Sequence, residues 1–295
     1  MPLISVHLAV KDSARTLPLA MRSTLSTLPR DAELLVLDDA SSDDVGAALA
    51  SVDDRRLRVV RNEISEGVGA ARQRMLDQSD SRYVATMDAD DVGLPGRFQL
   101  QRLAIDSADF VFGPVISFWE GSGRIRPGLP LPITAEAMPV HLLVHNLLCN
   151  PTLFARRASV VAAGGYRRTR AEDHDLWLRA LAQGQRLVRL ATPVLAYRHH
   201  ARQTSSQSGF LSDSFAEPEL RDAYRTFVLS TFGVEATWLK ALWSSESGTE
   251  GVAKELAPLR ALVSEKAKTL SPLQRTVLAR TVRLIDMRLP VGRAT

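Results

Sequence analysis

The chain has 295 residues, 45% hydrophobic and 24% charged, with a formal charge of +4 at pH 7. That balance excludes an intrinsically disordered chain and supplies one sizeable core with room for an appendage. A single cysteine, Cys149, excludes an internal disulfide and fits a small buried residue in a reducing compartment.

Residues 3–10 read as a first strand rich in Val, Leu and Ile. A helical pattern follows, with Leu17, Met21, Leu25 and Leu28 on one face and Pro18 tolerated in its first turn. Residues 33–37 form a second strand that runs into Asp38 and Asp39, and residues 57–60 a third. The spacing predicts a helix over 69–78 with Ala71 and Met75 inward. A fourth strand, 83–87, ends in three carboxylates, Asp88, Asp90 and Asp91, and a fifth spans 109–118. The Gly- and Pro-rich stretch 120–132 reads as a mobile lid or acceptor loop. Glu172 and Asp173 open a segment with Leu176, Trp177, Ala180 and Leu181 at helical spacing. After Ser214 helical patterns dominate. Alternating strands and helices imply an α/β fold, a Rossmann-like and mostly parallel sheet flanked by helices. The expected organisation is a domain over 1–213 and a helical C-terminal extension over 214–295.

Clustered carboxylates repel one another, so Asp88, Asp90 and Asp91 need water, hydrogen bonds or a cation. A solvated Asp-rich turn is the plain explanation. Ligands in open α/β sheets, however, bind beyond the carboxyl ends of the strands. That rule brings Asp38 and Asp39 to the same edge as Asp88 and Asp90. One cluster can then accept from a hydrogen-bond donor while the other holds a divalent ion, since magnesium commonly uses one or two protein carboxylates plus substrate phosphates.

Five segments in order carry a resemblance: Ile-Ser-Val-His-Leu-Ala-Val, Leu-Val-Leu-Asp-Asp-Ala-Ser-Ser-Asp, Gly-Ala-Ala-Arg-Gln, Met-Asp-Ala-Asp-Asp and Ala-Glu-Asp-His-Asp-Leu-Trp-Leu-Arg. Together they resemble the motifs of family 2 glycosyltransferases over roughly residues 3–205. The resemblance implies an A-type nucleotide-sugar-binding fold, a nucleoside diphosphate-sugar donor, Mg²⁺ or Mn²⁺, and inversion at the sugar carbon. It implies that Asp90 binds metal and that Asp88 meets the ribose or a metal-bound water. Asp39 would accept a ring N–H of uracil or thymine, beside the backbone of Ala9. Arg72 would neutralise donor or carboxylate charge. Asp173 is the implied general base, next to Glu172 on the donor side, and Asp175 orients its loop or takes part in local hydrogen bonds. His200, in Tyr197–Arg198–His199–His200, is similar to an element that touches diphosphate or metal. Lys11–Asp12 stands where the family usually has Tyr-Asn, and Gln73 where it has Asn.

The expected activity is transfer of a sugar from a UDP- or dTDP-type donor to a hydroxyl acceptor, a glycan, lipid-linked sugar or small molecule, in cell-envelope glycoconjugate synthesis. A noncatalytic sugar-nucleotide-binding or assembly protein is one alternative. Another is a haloacid dehalogenase-type phosphatase, which begins Asp-x-Asp-x-Val but needs a downstream lysine, and none occurs between Lys11 and Lys240. His141 and His145 lie four apart without an acidic third ligand and are read as non-catalytic, and residues 150–152 as nearer the acceptor side.

From Lys266 onward seven basic residues face Asp286 as the single acid, a local excess of +6 on a remainder of −2. Lipid headgroups and nucleic acid both suit such an end; within the resemblance no nucleic acid is expected. Leu278, Val282, Ile285 and Leu289 form an apolar stripe there, ending at Pro290. Packing onto the first domain and peripheral contact at the inner face of the membrane are its two readings. With no apolar run of spanning length and no basic start of a signal peptide, the chain reads as cytoplasmic.

Overall fold

The computed structural model describes residues 1–200, 210–243 and 250–286. In chain order the elements are β1 (Ile4–Val10), α1 (Leu17–Thr27), β2 (Ala32–Asp38), α2 (Val45–Ala50), β3 (Leu57–Arg61), α3 (Val68–Gln78), β4 (Tyr83–Asp88) and β5 (Val92–Gly93). There follow α4 (Arg97–Ala104), β6 (Phe110–Phe112), β7 (Val115–Trp119), β8 (Ile125–Pro127), α5 (Met138–Leu142), β9 (Phe154–Arg156), α6 (Arg157–Ala162) and α7 (Glu172–Ala182). The remaining elements are β10 (Leu187–Arg189), β11 (Leu195–His199), α8 (Phe210–Ala216), α9 (Pro218–Phe232), α10 (Leu239–Trp243), α11 (Glu250–Ala267) and α12 (Pro272–Asp286).

Seven strands form the main sheet in the order β10-β6-β9-β4-β1-β2-β3, and β5-β11-β7-β8 form a second sheet. In the main sheet every pairing is parallel except those of β9, which runs antiparallel to both β4 and β6. This is the mostly parallel α/β sheet that the strand–helix alternation implies. Its side chains alternate between faces with the strand period of two. Leu34 and Val36 of β2 join Val6, Leu8, Met21 and Phe98 on one side, while Leu35 and Leu37 meet Ala71 and Met75 of α3 on the other.

Two sequence readings are corrected. The single strand expected over 109–118 is two strands in different sheets. Gly113 and Pro114 separate them: a Cβ at Gly113 would lie 2.6 Å from Val194 Cγ2, and proline has no N–H for a ladder. The stretch 120–132, expected to be a loop, contains β8, which pairs antiparallel with β7.

The C-terminal helices share a continuous apolar cluster with the sheet. Trp177 of α7 meets Phe110 and Phe112 edge-on, and the same cluster takes in Tyr224, Phe227, Leu256 and Leu278. The Tyr224 hydroxyl donates to the Leu143 carbonyl at 2.7 Å and accepts from Trp238 Nε1 at 3.0 Å. On α12, Val277 and Leu278 are buried and Val282 packs against the cluster, whereas Arg275, Arg280 and Arg283 are exposed. The described part of the apolar stripe is thus spent on protein packing, the first of its two readings. The Ile285 side chain, Leu289 and Pro290 lie outside the described part. His141 is buried, meets Thr281 Oγ1 at 2.8 Å and is held down to a pKa of about 4 by burial, so it anchors α12 as a neutral imidazole. No described helix is long and apolar enough to cross a membrane.

Two glycines test the packing that sets α3 against the loop before α7. A Cβ at Gly69 would stand 2.3 Å from the Arg167 carbonyl oxygen, whereas one at Gly46 meets nothing closer than 3.9 Å. In urea titrations Gly69→Ala is expected to lose about 1–3 kcal/mol through overpacking. Gly46→Ala, at an exposed position of α2, is expected to gain up to about 1 kcal/mol.

Candidate functional site

The carboxyl ends of β1, β2 and β4 converge, because Ala9 is in register with Leu37 on one side and Asp88 on the other. Beyond β4 the chain turns through Asp90 and Asp91 into β5. Asp90 Oδ2 lies 2.7 Å from His200 Nε2, and the Asp90 carbonyl accepts from Arg198 Nε at 2.7 Å. Asp91 points the other way, is 1% exposed, and accepts from the Arg198 backbone N–H at 2.9 Å. Burial first, then Asp88 and Asp90, push its carboxyl well above the usual range. The three acids are therefore not equivalent: Asp90 is half-buried beside His200, while Asp91 fastens β11 to the turn. Beneath them Arg97, 1% exposed, donates to the carbonyls of Thr86 and Leu153 and is lowered to about 10 by burial. Its charge opposes those of Asp91 and Asp88 from below.

Arg72 joins this turn to α7. One amino group of its guanidinium reaches Asp88 Oδ1 at 3.0 Å and the other bonds Glu172 Oε1. With its amide oxygen turned toward the guanidinium, Asn150 accepts from Nη1, Nε and Nη2 at 3.0, 3.1 and 2.9 Å. Arg72 is 8% exposed and Glu172 5%. This cation is consumed by protein carboxylates from two elements, so its place is the joint between β4 and α7. Asn150 arrives there because β9 is antiparallel: the turn preceding β9 must then lie at the carboxyl end of β4. The Thr86 hydroxyl accordingly donates to the Asn150 carbonyl, and Thr86 N–H to Leu153 at 3.2 Å.

Asp173 follows Glu172 in the first turn of α7, where the helix dipole favours a carboxylate. Burial raises its pKa, and Arg72 together with a 2.6 Å hydrogen bond from the His174 backbone N–H opposes the rise. For Asp88 burial is likewise the leading cause of a raised pKa, opposed by Arg72 and reinforced by Asp90. Asp175 is fully buried and clamps Arg179 at 2.6 and 2.9 Å; Arg179 in turn donates to the carbonyls of Ala163 and Gly165. Asp175 therefore orients the loop that precedes α7, as the sequence suggests. Tyr166 on that loop is 6% exposed, and its hydroxyl has no hydrogen-bond partner among the described residues, a feature that sequence motifs do not signal.

Asp39 ends β2 differently. Oδ1 accepts from Asn62 Nδ2 at 2.6 Å and Glu66 N–H at 2.9 Å, and Oδ2 from Ser65 Oγ at 2.8 Å and Gly67 N–H at 2.9 Å. Burial acts to raise its pKa and these hydrogen bonds outweigh it, so the carboxyl lies below the usual value. Four donors fill the carboxylate's four lone-pair sites. A ring N–H reaches Asp39 only by replacing one of them, and the exposed Ser65 is the replaceable one. The two departures from the family pattern are also locally satisfied. Asp12 takes a positive φ of 51°, which Asp and Asn tolerate, and accepts from Ser42 N–H and Oγ at 2.7 and 2.8 Å. Gln73 Oε1 accepts from Tyr166 N–H at 2.8 Å, a span its extra methylene helps to cover.

Among the described residues no group of three or more His, Cys, Asp or Glu forms a protein-only metal cage. Asp90 with His200, and Asp88 close by, form an oxygen-rich donor set with one imidazole. Such a set fits a Mg²⁺ or Mn²⁺ ion whose shell is completed by substrate oxygens. A hollow of about 560 Å³ lined by Leu25, Leu28, Arg30 and Arg56 lies instead at the amino end of the sheet. Arg56 there is already bonded to Asp54 and to the carbonyls of Leu25 and Leu28.

Comparison with known proteins identifies the fold and the family. The solved Staphylococcus aureus TarS 1–349 in complex with UDP-GlcNAc superposes with a TM-score of 0.60 at 17% identity, covering 96% of this chain and 88% of that one. The mannosyltransferase PcManGT from Pyrobaculum calidifontis, in complex with GDP-Man and Mn²⁺, gives 0.56 at 16%, covering 96% and 85%. The fold is the A-type glycosyltransferase fold. The sequence matches Glycosyl transferase family 2 over residues 5–163, more than half its length, and the chain belongs to that family. It is 29% identical over 199 residues to the putative glycosyltransferase EpsE of Bacillus subtilis, covering 63% of this chain and 69% of EpsE. Over 205 residues it is 33% identical to the succinoglycan biosynthesis protein ExoU of Rhizobium meliloti, covering 62% of this chain and 58% of ExoU. The UDP-Glc:alpha-D-GlcNAc-diphosphoundecaprenol beta-1,3-glucosyltransferase WfaP of Escherichia coli is 25% identical over 209 residues, covering 70% of this chain and 81% of WfaP. The protein is a glycosyltransferase, which removes the phosphatase and noncatalytic readings.

The hydrogen bonds to Asp39 have a pH signature. A folded pKa below the unfolded value of about 3.8 stabilises the fold above that pH, and the contribution is lost as pH falls through the folded value. Asp39→Asn turns an amide N–H₂ toward donors and is expected to cost about 1–3 kcal/mol at pH 7. Urea titrations across pH should show the gap between wild type and variant closing below pH 3.8.

Proposed function

We propose that this enzyme transfers a sugar, with inversion, from a UDP-type or dTDP-type donor to a hydroxyl acceptor in the assembly of an envelope polysaccharide or related glycoconjugate, with Mg²⁺ or Mn²⁺ as cofactor. The observation that carries the proposal is the joint at Arg72, which holds the Asp88–Asp90 turn against the Glu172–Asp173 helix start. Support for the donor class comes from the UDP-sugar in the TarS complex and in the description of WfaP. Support for the pathway comes from ExoU and WfaP, the latter acting on a diphosphate-linked lipid sugar.

In this reading Asp90 and His200 hold the metal, which when bound offsets the charge that grows on the departing diphosphate. Asp88 meets the nucleotide ribose, Asp39 and the backbone of Ala9 face the base, and Asp173 takes the proton of the acceptor hydroxyl as its oxygen attacks. Breaking the sugar–phosphate bond leaves the electron pair on the diphosphate, and the new bond forms on the opposite face of the sugar carbon. The burial that raises Asp173 strengthens it as a base, and the Arg72 charge opposes the rise. Asp175 and Arg179 hold the loop, and the exposed arginines of α12 suit electrostatic contact with anionic headgroups.

Two measurements separate metal and base. Calorimetry with UDP should show weaker binding both after chelation of divalent metal and in Asp90→Asn, with no loss of folding; unchanged affinity in both tests refutes the metal assignment. Asp173→Asn should bind UDP as the wild type does, while transfer to a true acceptor falls by about 10²–10⁴-fold. A fully active Asp173→Asn enzyme removes Asp173 from the role of base. A donor panel scored by nucleotide release against many acceptors identifies the sugar.

A further inference from the structure

The second sheet ends in a hairpin that starts beside the acidic turn. Trp119 closes β7 in register with His199 of β11, and the next residue, His200, meets Asp90 at 2.7 Å. The His199 ring stacks on the Trp119 indole, with centroids 4.4 Å apart and planes 9° from parallel. Two cations from the returning arm converge on that same indole: the guanidinium carbons of Arg124 and Arg126 stand over it, 4.6 and 5.6 Å from its centroid. The strand period of two puts both on one face of the hairpin. Both are exposed, and neither makes an ion pair among the described residues. Glu120, the one acid of the hairpin, is bonded by Arg15 and lies 3.9 Å from Arg198.

A guanidinium held over an aromatic ring keeps the N–H groups at its edge for oxyanions. Two such forks on one platform suit a group with several phosphate oxygens, because arginine can pair with phosphate through two parallel hydrogen bonds. Position and surroundings select the phosphate. In the order β5-β11-β7-β8, the arm that carries the arginines lies two strand spacings from β11, about 10 Å, so the pair is set back from the Asp90–His200 turn to which the departing diphosphate is assigned above. That gap leaves room for the sugars between one diphosphate and another. Ile125, between the two arginines in the chain, and Leu129 just beyond are both exposed. Such apolar surface has no use for a free nucleotide but suits a phosphate carried on a hydrocarbon. Building on the transfer function proposed above, we propose that Arg124 and Arg126 bind the diphosphate of an acceptor in which that group joins a sugar to an apolar chain. The hairpin thereby favours lipid-linked over free sugars.

The test is equilibrium dialysis of geranyl diphosphate against the full chain, held saturated with Mn²⁺ and with the nucleotide of the donor that the wild type turns over in the panel. The wild type should bind this probe more tightly than inorganic diphosphate. Arg124→Gln/Arg126→Gln should bind it about 10- to 100-fold more weakly, with melting temperature and nucleotide affinity unchanged. Arg30→Gln/Arg55→Gln, which removes the same charge from exposed positions at the amino end of the main sheet, should bind it as the wild type does. No binding by the wild type, or equal losses in the two double variants, overturns the proposal. So does a loss of nucleotide affinity in Arg124→Gln/Arg126→Gln, which assigns the pair to the donor or, with a lower melting temperature, to the fold. Unchanged binding of the probe with weaker sedimentation on phosphatidylglycerol vesicles marks a membrane contact and overturns it too. A wild type that transfers from no donor refutes the function proposed above and this inference with it, whereas a wild type that transfers yet binds no geranyl diphosphate refutes only this inference.

Discussion

A single buried guanidinium holds the site in one piece. Arg72 of α3 bonds Asp88 at the end of β4 and Glu172 at the start of α7, with the Asn150 amide against its face. Removing one member of a buried ion pair strands the other's charge at a cost of about 3–5 kcal/mol, so neither element can drift independently. The same charge also acts on Asp173, which is otherwise pushed toward protonation by burial. Two carboxylate clusters far apart in sequence therefore share one counter-charge, and the acidity of one depends on the position of the other.

Around that joint the fold supplies rigidity from below and from the side. Arg97, bonded only to uncharged groups, places a positive charge under the acidic turn without blocking it. Asp91 fastens β11, which brings His200 to Asp90. The Asp175–Arg179 pair holds the loop before α7 through the Ala163 and Gly165 carbonyls. Side chains that look redundant as a cluster of acids thus divide the work: Asp90 stays partly exposed beside His200 while Asp91 and Asp175 are spent on architecture.

Much of this was legible in the chain because it is local. Strand runs at 3–10, 33–37 and 57–60, the acidic ends at Asp38–Asp39 and Asp88–Asp91, and the helix starting at Glu172 depend on short-range pattern and on the rule that places ligands at strand carboxyl ends. What escaped was set by distant partners. Nothing near Phe154 announces that β9 runs antiparallel, yet that reversal carries Asn150 onto Arg72. The break at Gly113–Pro114 is fixed by Val194, and the pinning of Tyr166 by Gln73 and Arg179. On α12 the apolar stripe has the same pattern whether it meets lipid or protein, and only α5 and the cluster beneath it show which.

The account rests on a single displacement in which the leaving diphosphate and the base stand on opposite sides of one sugar carbon. The most direct measurement is the anomeric configuration of the product, read from the proton coupling at the anomeric carbon by NMR after transfer from a donor of defined configuration. The account predicts the configuration opposite to that of the donor. A product that keeps the donor's configuration would contradict it.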